Sequence, residues 1–133
     1  VKSSEILFPF NKKHDYVIVT EGPLDAITLQ INGFNATCTQ GSMMSKAQAR
    51  QLKSQSVILS YDNDEAGKEG TAKAYRLLKS LNVKSVCTTS PPAPFKDWND
   101  CFIKQGARQL THNVESALTK MDFDYFVKDG LQS

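Results

Sequence analysis

The feature that most constrains this chain is an alternation: short apolar runs rich in β-branched residues, each followed by a segment of helical pattern. Tyr16-Val17-Ile18-Val19-Thr20 is the first run. It is bounded by charged residues before it and by Glu21-Gly22-Pro23 after it, and reads as a buried strand. Pro23 suits the first turn of a helix, where its missing N–H would have no partner anyway. Leu24, Ile27, Leu29 and Ile31 carry that helix to a stop at Asn32-Gly33. Asn35 to Thr39 has the look of a second, shorter strand, and Gly41 and Ser42 turn the chain. Ser45 is a good N-cap for a polar helix through about Lys53. Val57 to Ser60 is the third strand, and Ala66, Ala72, Ala74, Tyr75, Leu77 and Leu78 mark a helix from Glu65 to about Leu81. Val83 to Thr88 alternates as the fourth strand. After the loop Ser90-Pro91-Pro92-Ala93-Pro94, a helix is expected from Trp98 to Gln105 with Gly106 as its stop. A further helix follows from Leu110 to about Lys120, and Lys120 to Ser133 is either a docking helix or a frayed tail.

Strands that alternate with helices predict an α/β fold: a compact, Rossmann-like parallel sheet of about four strands, flanked by helices and joined by right-handed crossovers. In such sheets ligands bind beyond the carboxyl ends of the strands. Glu21 and the pair Asp62/Asp64 therefore converge on one edge, although they lie about forty positions apart.

The third strand runs straight into Asp62-Asn63-Asp64-Glu65. Unit negative charges about 4 Å apart repel by roughly 4 kcal/mol at an effective dielectric near 20, so a cation is the expected partner. Mg2+ fits, because it takes oxygen ligands and needs only one or two carboxylates besides substrate phosphates. Mn2+ is the alternative ion. Glu21, held by Gly22 and Pro23, has the restricted position a reacting group needs, and could ligate the same ion or serve as general acid or base. Asp25 faces the same edge from the first turn of its helix, as an outer metal contact or as a charge complementing the helix dipole. Taken singly, Asp62-x-Asp64 reads equally well as a turn with a helix N-cap at Asp64. The joint pattern of acids at two strand ends favours the metal reading.

At 133 residues with 40% hydrophobic residues, the chain has the size of a single domain with one core. Sixteen lysines and arginines against 14 aspartates and glutamates give a net charge of +2, too small to imply nucleic acid by itself. Cys38, Cys87 and Cys101 are odd in number and form no C-x-x-C pair, which argues against a disulfide framework or a zinc site and for a reducing, cytoplasmic setting. No apolar run approaches the roughly 18 residues of a membrane span, and no leader pattern is seen. The chain begins at Val1, consistent with processing or with excision from something longer.

Glu21-Gly22-Pro23-Leu24-Asp25-Ala26, then Gly41, then Asp62-Asn63-Asp64-Glu65-Ala66-Gly67, then Lys96-Asp97-Trp98-Asn99-Asp100 resemble, in order and spacing, the successive motifs of the TOPRIM domain. That family includes domains of bacterial primases, type IA and type II topoisomerases, recombination-repair proteins and some nucleases. The motifs here are most similar to the primase branch, including primases of phages and mobile elements. Glu5-Ile6-Leu7-Phe8-Pro9-Phe10-Asn11 resembles the stretch that precedes TOPRIM there, so the likeness covers roughly residues 5 to 106. It implies a TOPRIM domain over residues 1–106 with a short lead-in, and a helical extension over 107–133.

The resemblance further implies that Glu21, Asp62 and Asp64 are the metal-binding acids, with Glu21 also the general acid or base, and that Asp25 lies close to the metals. Asp97 matches the first acid of a D-x-D pair whose second position falls on Asn99 here; taken by itself, it reads equally well as a turn acid capping the helix at Trp98. Asp100 is the adjacent substitute. Asn63 stands where a glycine is common, a mild change because asparagine tolerates left-handed backbone. The implied activity is Mg-dependent nucleotidyl transfer in RNA primer synthesis during DNA replication. The implied partners are a single-stranded DNA template, nucleoside triphosphates and other domains of a larger primase or a helicase. A metal-dependent nuclease, a topoisomerase-type fragment or a non-catalytic nucleic-acid-binding module are the rivals. None of Tyr16, Tyr61, Tyr75 or Tyr125 lies in a recognisable setting for a topoisomerase nucleophile.

Lys46, Arg50, Lys53, Lys68, Lys73, Arg76 and Lys79 form either a basic face for phosphates or an ordinary solvated helix surface. Lys68, Lys46 and Lys96 are the candidate phosphate or nucleic-acid contacts, Lys68 first because it lies one turn into the helix after the aspartates. Trp98 is a core or lid residue, or else a platform for base stacking. His14 and His112 are expected at the surface and the cysteines in the core.

Overall fold

The computed structural model describes the backbone of residues 6–132 and the side chains of residues 6–119. Strand β1, Tyr16–Thr20, sends Val17 and Val19 into one core and Ile18 into the other. Both faces of the sheet are covered, which is why the run is continuously apolar. Strands β2 (Ala36–Cys38), β3 (Ser56–Leu59) and β4 (Ser85–Thr88) complete a sheet of order β2-β1-β3-β4. Every pairing is parallel, with Ile18 opposite Ala36, Val17 opposite Val57 and Val57 opposite Val86. This is the four-stranded parallel α/β sheet expected.

Helices α1 (Pro23–Ile31), α2 (Lys46–Arg50), α3 (Glu65–Ser80) and α4 (Trp98–Gln132) pack on both faces. Ala49, Leu52, Ala74 and Leu78 join Val17, Val19, Val57 and Leu59 on one side. Leu29, Trp98, Cys101, Leu110 and Val114 join Ile18 and Ile58 on the other. The lead-in runs beside β2: the Thr37 hydroxyl donates to the Phe8 carbonyl, and Leu7 is buried. Cys38 and Cys101 are buried and Cys87 half-buried, all three free; His14 and His112 are exposed.

Two boundaries differ from the sequence reading for local reasons. Helix α2 opens with the expected Ser45 cap in a reciprocal capping box with Gln48, but ends at Arg50 because tight turns take over. The Lys53 and Gln55 amides donate to Arg50 and Leu52. Strand β4 starts at Ser85, since Val83 still donates to Leu78 in the turn that closes α3, where Asn82 adopts φ 57.

The buried stripe of α3 is Gly67, Gly70, Ala74 and Leu78, small at the end near Asp62 and large at the other. A Cβ on Gly67 would lie 2.0 Å from the Asp62 carbonyl oxygen, and one on Gly70 would lie 2.4 Å from that of Ser42. Glycine is what allows the helix to seat against the loops at the strand ends. Gly106, at φ 85 and ψ 175, interrupts α4 where the sequence predicts a stop. Beyond it Leu110 and Val114 return to the same core as Trp98. The expectation of a docking helix or frayed tail over Lys120–Ser133 concerns side chains outside the described residues, as does Glu5 of the lead-in.

Candidate metal centre

The chain leaves β1 toward β2 on one side and returns to β3 on the other, so a crevice opens between the carboxyl ends of β1 and β3. Glu21 follows β1 and Asp62 follows β3. They meet directly: the Asp62 amide donates to Glu21 Oε1 at 3.1 Å. The Gly41 amide donates to the Glu21 carbonyl at 3.0 Å and the Thr20 hydroxyl to the Gly22 carbonyl at 3.0 Å, which fixes the backbone on both sides of the glutamate. Gln40 and Gly41, which make that return, both have positive φ, 60 and 147. Strain of this kind in a non-glycine residue persists only where its surroundings hold it.

Three acids converge beside this contact. Asp25, Asp62 and Asp97 each offer a carboxylate oxygen within 4.8 Å of the others. Asp25 is 5% exposed, and both of its oxygens are engaged: Oδ2 accepts from the Trp98 amide and Oδ1 from the Asn99 amide, each at 3.0 Å. It thereby caps α4, which begins one residue after Asp97. Further ties hold the same turn. The Asn63 amide donates to the Lys96 carbonyl at 2.8 Å, the Thr28 hydroxyl to Asn99 Oδ1 at 3.1 Å, and Trp98 Nε1 to Ser60 Oγ at 2.7 Å.

Burial pushes the Asp25 carboxyl up to about 6, against the opposing pull of the Asn99 amide, with the charge of Asp97 adding to the rise. Asp62 is also raised to about 6, by burial first and then by the charges of Glu21, Asp25, Asp97 and Asp64. Proximity of like charges disfavours ionisation of each. A cation would relieve this repulsion, and an all-oxygen donor set suits a hard divalent ion. The three acids could hold a metal ion; the residues present fit one.

Asp64, expected among the ligands, stands at the rim. Its Oδ1 accepts from the Gly67 amide at 2.8 Å as the N-cap of α3, and its Oδ2 lies 3.7 Å from Lys96 Nζ. Both of its sequence readings are therefore compatible with its position. Asp100 pairs with Lys104 at 3.2 Å and Asn99 with Thr28, so neither joins the three. Lys68 is exposed on α3 and lines a cavity with Asp62. Lys46 opens α2, exposed and without a described tie to the acids. Trp98 is 1% exposed and belongs to the core, with no face for a base to stack on. Sequence reasoning missed Thr28 and Ser60, which position the Asp97 turn. The signal for Ser60 was Trp98 itself, since a buried indole N–H needs an acceptor.

A four-stranded parallel sheet with acids at its switch point defines the class, and a family profile described as Toprim-like matches residues 18–102. The chain belongs to that Toprim-like family. Its relatives point to a particular branch. A DNA primase of Thermotoga maritima is similar at 29% identity over 119 residues, covering 87% of this chain and 20% of that protein. The solved Aquifex aeolicus primase, comprising zinc-binding and RNA polymerase domains, superposes with a TM-score of 0.71 at 29% identity over 88% of this chain and 31% of that one. A primase catalytic domain solved with single-stranded DNA shares the fold, with a TM-score of 0.68 at 20% identity, over 97% of this chain and 44% of that one. The chain spans about a fifth of the length of the curated relatives it matches. Among the described residues no helix is long and apolar enough to cross a membrane.

Proposed function

We propose that this chain is the metal-binding TOPRIM domain of a primase-like nucleotidyltransferase of bacterial, phage or mobile-element type, working in the cytoplasm within a larger primase or primase-helicase. Residues 1–106 are the domain in this reading and 107–133 an extension of it. Its partners are a single-stranded DNA template and nucleoside triphosphates, joined as an RNA primer. The observation that carries the reading is the convergence of Asp25, Asp62 and Asp97 at the β1/β3 crevice, beside Glu21.

Asp62, Asp97 and Asp25 would hold Mg2+ or Mn2+, with Glu21 and Asp64 at its margin. When bound, such an ion supplies charge neutralisation at phosphate oxygens and Lewis acidity. The chain's own work is positional. Asp25 fixes the start of α4 and so places Asp97; the Asp62 amide fixes Glu21 Oε1, which leaves Oε2 to exchange a proton with a nucleotide hydroxyl. Lys68, Lys96 and Lys46 attract phosphates, Lys96 from its place beside Asp64.

Titrating Mg2+ or Mn2+ into the chain while following the backbone signals of Glu21, Asp25, Asp62, Asp64 and Asp97 tests the metal centre. Silence of all of them at millimolar metal would sink it. Primer-synthesis and nicking assays on a longer protein, with Asp62→Ala and Glu21→Gln as controls, test the chemistry. Nicking without primer synthesis would assign the site to a nuclease instead.

A further inference from the structure

The acids occupy only part of the strand-end edge. Between the ends of β3 and β4 and the first turns of α3 lies a partly enclosed cavity of about 150 Å³, with Asp62, Lys68, Thr71, Thr88, Thr89 and Ser90 in its lining. Thr88, Thr89 and Ser90 bring hydroxyls and Lys68 an ammonium, whereas the Thr71 hydroxyl donates to the Gly67 carbonyl at 2.7 Å. Tyr61 also lines it, but its hydroxyl is taken up with Thr39 at 3.1 Å. Lys68 belongs to neither of the two ion pairs among the described residues, Lys96 with Asp64 and Lys104 with Asp100. Drug-sized ligands need roughly 300 Å³ or more. This cavity has room for one group of a ligand rather than a whole nucleotide.

A small pocket of hydroxyls with one unpaired cation matches a compact anion whose oxygens only accept. We propose that this cavity is a phosphate subsite, taking a single phosphate group of a nucleotide or of a nucleic-acid strand between Lys68 and the Thr88-Thr89-Ser90 run. The inference rests on the metal-centre reading and deepens it. Asp62 lines the cavity and also belongs to the acidic cluster, so a phosphate seated here adjoins an ion held there. Lys68 supplies the attraction in a lining where the Asp62 carboxylate alone would repel an anion.

The test titrates the 133-residue chain with inorganic phosphate, tripolyphosphate and a short oligothymidylate, with and without Mg2+, following backbone signals. The expected result is movement of Lys68, Thr71, Thr88, Thr89 and Ser90. Lys68→Ala should weaken binding about tenfold and Thr88→Val a few-fold, on exposed positions where folding is not at stake. A response to tripolyphosphate alone assigns the subsite to nucleotide phosphates, and a response to oligothymidylate alone to a strand. No movement with any probe overturns the proposal, as does unchanged affinity in Lys68→Ala. If the cavity responds while Mg2+ leaves Asp25, Asp62 and Asp97 silent, the subsite stands and the metal reading falls.

Discussion

Replacing Gly67 by alanine isolates the contact on which the whole edge depends. At an ordinary helix position this change stabilises by about 1 kcal/mol through helix propensity. Here the new Cβ would lie 2.0 Å from the Asp62 carbonyl oxygen, 2.8 Å from its carbonyl carbon and 2.9 Å from Glu21 Oε1. Two of those atoms are backbone and cannot rotate aside, so α3 must retreat by more than an ångström or the Asp62 loop must move. Overpacking of this kind costs about 1–3 kcal/mol, and a backbone clash falls at the upper end. Set against the propensity gain, the net loss is about 2 kcal/mol, or roughly 8 °C in melting temperature for a chain of this size. Urea unfolding should show a lower midpoint with an unchanged slope. Gly22→Ala is the matched control, because nothing lies within 4 Å of its Cβ and its φ of −114 is open to any residue; it should change stability by less than about 0.5 kcal/mol. Metal affinity should fall in Gly67→Ala alone. If Gly67→Ala is as stable as the parent, or more so, the close-approach reasoning is wrong.

The pH dependence of stability follows from the raised carboxyls of Asp25 and Asp62. Both rise from 3.8 to about 6 on folding, so the native state keeps protons that the unfolded chain releases. Stability is therefore fully present below the unfolded value and lost as pH rises through about 6; buried Asp25 alone contributes on the order of 3 kcal/mol. Urea midpoints without metal should be higher near pH 5 than near pH 7.5, and a flat profile across that window would contradict the burial, and the like charges beside it, that raise these carboxyls. Asp62→Asn should lower metal affinity at least tenfold, yet leave the metal-free protein as stable or more so, because it removes a charge that four acids oppose; isothermal titration and urea unfolding read the two effects. Trp98→Phe removes the 2.7 Å bond to buried Ser60 and should cost about 2 kcal/mol in the same unfolding assay, with a neutral result counting against that bond.

The sheet was legible because its strands are apolar on both faces and each ends at a turn residue. Val17 and Val19 against Ile18 is a pattern that local sequence states outright. Glu21 and Asp62 could be placed together because parallel topology fixes which strand ends share an edge. The membership of the acidic cluster could not be read the same way. Asp25 reaches Trp98 and Asn99 across more than seventy positions, and nothing near Asp25 in sequence announces a second role as a cap for α4. Asp64 offers the converse case, an acid whose local option at Gly67 is good enough to hold one of its oxygens. The cavity beside Lys68 was invisible for a simpler reason: Thr88, Thr89 and Ser90 look like the unremarkable end of a strand until α3 closes over them.

The cap that Asp25 places on α4 also bears on how the molecule breathes. Amides at the first turn of a helix normally exchange quickly, since they have no partner in the helix. Those of Trp98 and Asn99 are bonded to a carboxylate that is itself 5% exposed and rooted in a different helix. They can open only when α1 and α4 part, which also uncovers Trp98 and breaks the core around Ile18. Hydrogen exchange at these two amides should therefore follow global unfolding rather than end fraying, and fast exchange would show that the two helices part locally. The acidic cluster then has no half-built form: it appears and vanishes with the fold itself.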